Sequence, residues 1–281
     1  MTGYPREHNN LQITLHHDRA SLMLAQITDC HLGEKAGEPL LGMDTDASLA
    51  QVVALLKQQH PDIDLLLATG DLSNDGSEAS YQRFAKHTLG LAPETLWLPG
   101  NHDTLAAMEA VFSPGGSLPR CAEIGDWQIV MLNSGVPGKV GGHLAEEELI
   151  LLRRALEAGN NRHTLVCLHH HPIEIGCAWL DGQRVTNADA LFRVLDDFNH
   201  VRGVLWGHIH QQVDTERNGV KLMATPSSCI QFAPGQQNFK LDRLNPGYRW
   251  LQLHSDGRID TGIARIAHQF AIDYDYTGGY E

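Results

Sequence analysis

Five short motifs of histidine, aspartate and asparagine each follow an apolar run of the chain, and no other feature constrains the fold as strongly. The apolar runs are short and nearly continuous, which is typical of strands buried on both faces of a sheet. In α/β folds, ligands bind beyond the carboxyl ends of the strands, so these polar residues are expected to meet at one place. The motifs are Asp29-Cys30-His31, Gly70-Asp71, Gly100-Asn101-His102-Asp103, His169-His170-His171-Pro172 and Gly207-His208-Ile209-His210.

Helical segments alternate with these runs. In the segment from Thr45 to Gln59 the apolar residues recur at helical spacing, Asp44 or Thr45 is a suitable N-cap, and Pro61 closes the helix. The alternation predicts a layered α/β domain. The predicted strands are Leu22–Thr28, Asp64–Thr69, Thr95–Leu98, Gln128–Leu132, Thr164–Leu168 and Gly203–Trp206. The predicted helices are Thr45–Gln59, Ser77–His87, Ala145–Ala158 and Asn187–Phe198.

The alternation of predicted strands and helices does not continue beyond Gly207. Lys221–Ala224 and Trp250–His254 are predicted strands that should extend a sheet of the same domain. No repeat and no low-complexity linker divides the chain. We therefore expect an N-terminal arm (1–20), one domain (21–270) and a loose C-terminal tail (271–281).

Composition limits the classes of partner. The formal net charge of −13 argues against a nucleic-acid backbone, which usually calls for a basic face. No segment approaches the roughly 20 apolar residues that span a bilayer, and the polar N-terminus does not resemble a signal peptide. The five cysteines include no Cys-x-x-Cys pair and are expected to be buried thiols in a reducing compartment. These features predict a cytoplasmic protein that binds neither membranes nor nucleic acids.

The motif residues form a mixed set of nitrogen and oxygen ligands. Imidazole suits zinc, iron, manganese and cobalt, and carboxylate or amide oxygen favours the harder members of that group. Cysteine is absent from the ligand positions, so a structural zinc site is not expected. Gly70, Gly100 and Gly207 should let the backbone turn, and residues i and i+2 of an extended stretch should face one site. A pair of divalent cations held this way would attract a phosphodiester anion and activate water for its hydrolysis.

Taken together, the motifs DCH, GD, GNHD, HHHP and GHIH resemble those of the calcineurin-like metallophosphoesterases. The resemblance implies a four-layer α/β/β/α sandwich with a dinuclear metal site at the strand ends. Longer strings, among them QITDCHL, LATGDLSNDG, LWLPGNHD, HTLVCLHHHP, ATPSSCIQF and PGYRWLQLH, resemble the bacterial class III 3′,5′-cyclic-AMP phosphodiesterases. That resemblance implies hydrolysis of cyclic AMP to 5′-AMP, with iron or manganese in the site and zinc or cobalt as alternatives.

The resemblance also implies roles for individual residues. One metal would be held by Asp29, His31, His210 and Asp71, and the other by Asp71, Asn101, His169 and His208, with Asp71 shared. Substrate would contact His31, Asp71, Asn101, His102, His169 and His210. His102 would contact the phosphate and protonate the leaving 3′ oxygen, so His102 and Asp71 are the expected catalytic residues.

One ligand position is a choice between neighbours. Spacing allows either His169 or His170, and His169 is favoured as the first residue past the strand. His171 precedes Pro172, which holds it extended, and is interpreted as structural.

The expected mechanism is an in-line attack on phosphorus by a hydroxide that bridges two metals. Alternatives are a 2′,3′-cyclic nucleotide or glycerophosphodiester substrate, a non-catalytic scaffold of the same fold, and a DNA nuclease, which the acidic charge disfavours. Base and ribose contacts are expected from Asn74–Ser77, Ile173–Arg184 and Ser227–Phe232. Within them, Trp179 either packs internally or stacks on adenine. The expected assembly is a monomer or a homodimer.

Overall fold

The computed structural model describes residues 12–15, 20–159 and 161–279. These residues form two large β-sheets, two two-stranded β-sheets and six helices. The strands are β1 (Gln12–Leu15), β2 (Ser21–Ile27), β3 (Pro39–Leu40), β4 (Met43–Asp44), β5 (Leu65–Thr69), β6 (Thr95–Leu98), β7 (Cys121–Ile124), β8 (Trp127–Met131), β9 (His163–Cys167), β10 (Val201–Trp206), β11 (Val213–Arg217), β12 (Val220–Ala224), β13 (Gln231–Phe232), β14 (Leu241–Asp242), β15 (Gly247–His254) and β16 (Ile259–Arg265). The helices are α1 (Thr45–Gln59), α2 (Glu78–Thr88), α3 (Leu105–Phe112), α4 (Glu146–Ala158), α5 (Ala178–Asp181) and α6 (Ala188–Asp196).

The smaller of the two main sheets has five strands in the order β16-β15-β2-β5-β6. Strands β2, β5 and β6 run parallel, so their carboxyl ends lie at one edge. The larger sheet has seven strands in the order β1-β7-β8-β9-β10-β12-β11, and β8, β9, β10 and β12 are parallel. Both sheets therefore present a set of parallel carboxyl ends, the position at which α/β folds bind ligands.

The two sheets pack face to face on a shared apolar layer. This layer joins residues of the smaller sheet such as Leu24 and Leu67 to residues of the larger sheet such as Ile129 and Leu165, all with no exposed surface. Helices α1, α2 and α3 cover the outer face of the smaller sheet, while α4 and α6 cover that of the larger one. The result is the predicted four-layer α/β/β/α sandwich.

Strand and helix predictions agree closely with the structure. Each strand predicted before Gly207 is found within two residues of its predicted ends, and α1 has the predicted bounds. Asp44 caps α1, because its carboxylate accepts a hydrogen bond from the amide of Ala47 at 2.8 Å. The two later strands do not extend one sheet. Lys221–Ala224 lies in β12 of the larger sheet and Trp250–His254 in β15 of the smaller.

The sequence places two terminal segments outside the domain. Described residues of both segments contact that domain. Gln12–Leu15, within the predicted arm (1–20), pairs in parallel with Cys121–Ile124 as an edge strand. In the predicted tail (271–281), the amide of Asp273 donates to the carbonyl of Leu41 at 2.9 Å, and Tyr274 packs against the core. Residues 1–11 and 16–19 of the arm lie outside the described ranges. No helix within those ranges combines the length and the apolar character needed to cross a lipid bilayer.

Candidate metal centre

All seven predicted metal ligands come together at the carboxyl ends of strands from both sheets. Asp29 and His31 follow β2, Asp71 follows β5 and Asn101 follows β6, all strands of the smaller sheet. His169 follows β9 and His208 and His210 follow β10, which belong to the larger sheet. The site therefore lies where the carboxyl ends of the two packed sheets converge.

Asp29, His31 and His210 form the first cluster of potential ligands. One donor atom from each lies within 4.8 Å of the other two, and all three side chains are buried. The Nε2 atoms of His31 and His210 are 3.2 Å apart, and His210 Nε2 is 3.4 Å from Asp29 Oδ1. Two imidazole nitrogens directed at each other beside a carboxylate form a donor set that suits a divalent cation.

The second cluster is defined by the predicted ligands of the other metal, Asp71, Asn101, His169 and His208. Donor atoms of His169 and His208 lie within 4.8 Å of each other, as do those of Asp71 and His169. His169 Nε2 is 3.2 Å from Asp71 Oδ2, although the angle is not that of a hydrogen bond. Among the described residues ten buried side-chain nitrogen or oxygen atoms lack a hydrogen-bond partner. Three of the ten are Asn101 Oδ1, His169 Nε2 and His208 Nε2, the atoms expected to bind one metal. A buried polar atom without a partner costs about 1–3 kcal/mol, and a cation at this point would satisfy all three.

The hydrogen bonds of His169 and His170 differentiate the two neighbours. His169 Nδ1 lies 2.8 Å from the carbonyl oxygen of Thr69, which leaves Nε2 directed at the carboxylates. A hydrogen bond made by the nitrogen that does not face the metal fixes the tautomer of a metal-binding histidine. His170, in contrast, has both ring nitrogens engaged, Nδ1 with Ser134 Oγ at 2.8 Å and Nε2 with the carbonyl of Val140 at 3.0 Å. This geometry supports His169 as the ligand, and gives His170 the separate task of holding the 134–143 loop.

Five of the predicted ligands have a left-handed backbone. Asp29, His31, Asp71, His208 and His210 have φ between 48° and 65°. Only two other non-glycine residues in the described ranges have positive φ. The conformation costs a non-glycine residue about 1 kcal/mol or more and clusters at functional sites.

These angles overturn one step of the sequence argument. Asp29 and His31, like His208 and His210, converge because the backbone curls in the left-handed region, whereas an extended stretch was expected. Gly70 does turn with a φ of +94°, as predicted. Gly100 and Gly207 are required for a different reason, which is close approach. A Cβ at Gly100 would collide with Asp71 Oδ1, and one at Gly207 would lie 2.6 Å from Asp29 Oδ2.

The electrostatics of the site reflect buried carboxylates beside imidazoles. Burial opposes the charging of His169, but the carboxylates of Asp71 and Asp29 overcome it and raise its pKa to about 9. Burial holds the pKa of His31 and of His208 well below its usual range, so that these rings are neutral. Neutral imidazole is the form that binds a metal, and the two carboxylates supply the negative potential that attracts one.

Two residues, Asp103 and Phe232, support the ligands in ways that the sequence analysis did not predict. The carboxylate of Asp103 accepts hydrogen bonds from the amides of Gly100 (2.8 Å) and Ser73 (3.1 Å) and from the Tyr81 hydroxyl (2.9 Å). It thereby ties the loop after β6 to the loop after β5. Phe232 stacks on His210 from the outer side. Asp103 belongs to the Gly-Asn-His-Asp motif, and Phe232 ends a segment expected to contact base and ribose, but neither signal predicted these contacts.

A cleft opens onto these ligands. His102 lines it, with Nδ1 3.2 Å from the carbonyl of Asn74 and its amide donating to Asp71 Oδ1 at 2.9 Å. Trp179 packs on Phe232 and also lines the cleft, so stacking on adenine stays a prediction beside the observed packing. His171 is buried with its ring 5.8 Å from that of His208, in agreement with a structural role. All five cysteines are buried and unpaired, as predicted.

Comparison with known proteins identifies the family. The model of the calcineurin-like phosphoesterase family matches residues 22–212. The 3′,5′-cyclic adenosine monophosphate phosphodiesterase CpdA of Pseudomonas aeruginosa is 47% identical over 262 residues, which are 93% of this chain and 96% of that protein. CpdA of Escherichia coli K12 is 44% identical, with 88% and 91% covered. The 3′,5′-cyclic-nucleotide phosphodiesterase alr5338 of Nostoc is 36% identical, with 94% and 99% covered.

Solved structures share the fold at much lower identity. A dimetal phosphatase from Danio rerio aligns with a TM-score of 0.58 and 13% identity, covering 88% of this chain and 99% of that one. A purple acid phosphatase from yellow lupin aligns with a TM-score of 0.60 and 13% identity, covering 88% of this chain and 54% of that one. These two similarities concern the fold alone. With its family model, its relatives and its clustered ligands in agreement, the chain belongs to the calcineurin-like phosphoesterase family.

Proposed function

We propose that this protein hydrolyses 3′,5′-cyclic AMP to 5′-AMP. The observation that carries the proposal is the extent of the similarity to the Pseudomonas phosphodiesterase, at 47% identity over 93% of the chain. That match extends well beyond residues 22–212, the part shared with the wider family. The segments outside the metal-binding motifs are therefore also similar, and substrate preference depends on such segments.

The donor atoms of the seven predicted ligands fit two divalent cations. Asp29, His31 and His210 would hold one, Asn101, His169 and His208 the other, and Asp71 would be shared between them. The orphaned atoms of Asn101, His169 and His208 support this assignment. When bound, such a pair supplies Lewis acidity, which activates water and neutralises charge on the phosphoryl oxygens. The mixture of imidazole with carboxylate and amide oxygen supports iron or manganese, with zinc or cobalt as alternatives.

The protein's own groups prepare this site in three ways. The backbone amide of His208 donates to both oxygens of Asp29, at 3.0 and 3.1 Å, and fixes the carboxylate. The carbonyl of Thr69 orients His169, and the carbonyl of Ile230 orients His210 through Nδ1 at 2.8 Å. These bonds hold the ligand atoms in place before substrate arrives, so little reorganisation is needed during the reaction.

His102 is the residue that we assign to proton transfer. Its Nδ1 is held near the carbonyl of Asn74, and the ring lines the cleft, where it lies edge-on to His31 with centroids 4.9 Å apart. In the proposed reaction the hydroxyl from water forms a bond to phosphorus, the remaining proton of water passes to solvent, and the bond from phosphorus to the 3′ oxygen breaks. The 3′ oxygen takes a proton from His102, which leaves 5′-AMP with a free 3′ hydroxyl.

Turnover measurements on the purified protein test the proposal. Cyclic AMP should be converted to 5′-AMP in the presence of manganese or iron, and a chelator should abolish the reaction. Rates on cyclic GMP, 2′,3′-cyclic AMP and a glycerophosphodiester should be lower. A faster rate on any of these three would identify a different substrate, and a protein without turnover and with less than one metal per chain would be a scaffold.

We further propose a cytoplasmic location, supported by five unpaired buried cysteines. A monomer or homodimer without nucleic-acid or membrane partners stays a prediction from the sequence.

A further inference from the structure

The cleft is lined by two chemically different groups of residues. Asp71, Asn101, His102, His208 and His210 form the polar group and belong to the proposed metal and phosphate site. The second group, Val140, Trp179, Gln183 and Phe232, is apolar except for the amide of Gln183 and the indole N–H of Trp179. The phosphodiester chemistry described above uses none of the second group, although a nucleotide has a base as well as a phosphate.

The apolar surface of this second group is firmly held. Trp179 makes edge contacts with Phe232 and Phe239, with ring centroids 5.0 and 5.3 Å apart. The backbone beside it is anchored, because the amide of Ala178 donates to the carbonyl of Gln236 at 2.9 Å. Val140 is 39% exposed, and its carbonyl accepts the hydrogen bond of His170. Rigid aromatic and aliphatic surface of this kind binds flat rings at a low cost in entropy.

Gln183 supplies the one polar side chain of the second group. Its backbone is fixed on both sides, since its amide donates to Leu180 at 2.7 Å and its carbonyl accepts from Gly142 at 3.1 Å. The side-chain amide, in contrast, makes no hydrogen bond to any described residue, and the residue is only partly buried. An amide on a fixed backbone, without an internal partner and beside apolar surface, is suited to bind a ligand edge.

We propose that the base of the cyclic nucleotide lies against Trp179 and Val140 and that the side-chain amide of Gln183 hydrogen-bonds the edge of that base. Adenine has an amino donor next to a ring-nitrogen acceptor, and a carboxamide presents the complementary acceptor and donor. Base stacking on aromatic surface contributes affinity without reading the base, whereas the amide orients it. This inference rests on the proposed function, because it assumes a nucleotide substrate.

The test compares two substrates on one enzyme. Cyclic AMP has a base, and bis(p-nitrophenyl) phosphate is a phosphodiester without one. Gln183→Leu should lower kcat/KM for cyclic AMP about 10-fold, mainly through KM, and leave that for the model diester unchanged. The ratio of the two values cancels differences in metal content between preparations. Gln82→Leu, at an exposed position of α2, is the matched control and should leave the ratio as it is in the unmodified protein.

The outcomes separate the two proposals. An unchanged ratio in Gln183→Leu, or equal losses on both substrates, would overturn the role of Gln183 and leave the proposed function standing. An unmodified protein that hydrolyses the model diester but not cyclic AMP would overturn the proposed function, and this inference with it. Trp179→Leu adds a second readout, because it should weaken binding of cyclic AMP more than that of the model diester.

Discussion

The imidazole of His210 and the phenyl ring of Phe232 lie parallel, with centroids 4.1 Å apart and planes 8° apart. His210 also bonds the carbonyl of Ile230 through Nδ1, so the ring is fixed in both orientation and tilt. Phe232 is itself packed against Trp179. Phe232, an apolar residue that lines the cleft, therefore positions His210, a proposed metal ligand.

Phe232→Ala should weaken metal binding at the first cluster, because His210 would lose the surface that limits its tilt. We expect a loss of about 10-fold in metal affinity, as for other residues that orient ligands. Metal retained against a graded chelator series measures this. Phe239→Ala is the control, since Phe239 packs edge-on against Phe232 with ring centroids 5.6 Å apart. Equal metal retention in both variants would show that the stack has no influence on binding.

His169→Ala and His170→Ala should have different effects. The first removes an orphaned donor atom and should lower metal content and activity together. The second should keep its metal, but it removes the ring partner of the Val140 carbonyl and of the Ser134 hydroxyl, which retains only the backbone amide of residue 170, and should cost about 1–3 kcal/mol of unfolding free energy. Metal analysis and urea unfolding measure the two effects. A His170→Ala protein that loses metal while His169→Ala keeps it would reverse the assignment.

Asp71→Ala should abolish activity, because Asp71 is the one proposed ligand that both cations share. Metal content should fall well below that of the unmodified protein. Asp189→Ala, on the exposed part of α6, serves as the control for loss of one carboxylate. Near-normal turnover of Asp71→Ala with full metal content would refute the shared-ligand arrangement.

His102→Ala should keep its metals and slow turnover by roughly 10²–10⁴-fold, the usual contribution of a positioned acid. Metal analysis alongside steady-state rates checks both statements. His143→Ala removes an exposed histidine that bonds Thr186 and should change neither quantity. Loss of metal from His102→Ala would mean that His102 is a ligand.

Arg249→Met should lower the unfolding free energy by about 3 kcal/mol. The Arg249 side chain is fully buried and donates to Asp214, Thr261 and the carbonyl of Ala224. Removing it leaves buried acceptors unpaired. Arg217→Met breaks an exposed pair with Asp196 and should cost less than about 1 kcal/mol. Similar costs in the two variants, measured by denaturant unfolding, would contradict this account.

Much of the fold could be predicted because the strands before Gly207 are buried on both faces and stand out as apolar runs. Helix α3 (Leu105–Phe112) was missed, since it is almost wholly apolar and Thr104 makes no capping bond through its side chain. β16 (Ile259–Arg265) was missed because it contains Gly262 and polar residues on a half-exposed edge. The assignment of β12 and β15 to separate sheets depends on tertiary pairing, which local pattern does not encode.

The candidate site was predictable to the extent that each ligand belongs to a short motif. The choice of His169 over His170 needed the hydrogen bonds of both rings, which depend on Thr69, Ser134 and Val140 far away in sequence. Gln183 has no motif around it, and its place in the cleft follows from the packing of α5. The left-handed angles of the ligands also had no sequence signal, because such angles are usually associated with glycine.

Because the proposed ligands follow strands of both sheets, a bound metal would connect the two sheets. The first cluster joins Asp29 and His31 of one sheet to His210 of the other, and the second joins Asp71 and Asn101 to His169 and His208. A cation in either cluster would therefore cross-link the two sheets of the sandwich. At a concentration 100 times its dissociation constant, such a cation would add about 2.7 kcal/mol to the unfolding free energy. At low metal concentration the enzyme would therefore lose catalytic activity and unfolding free energy together.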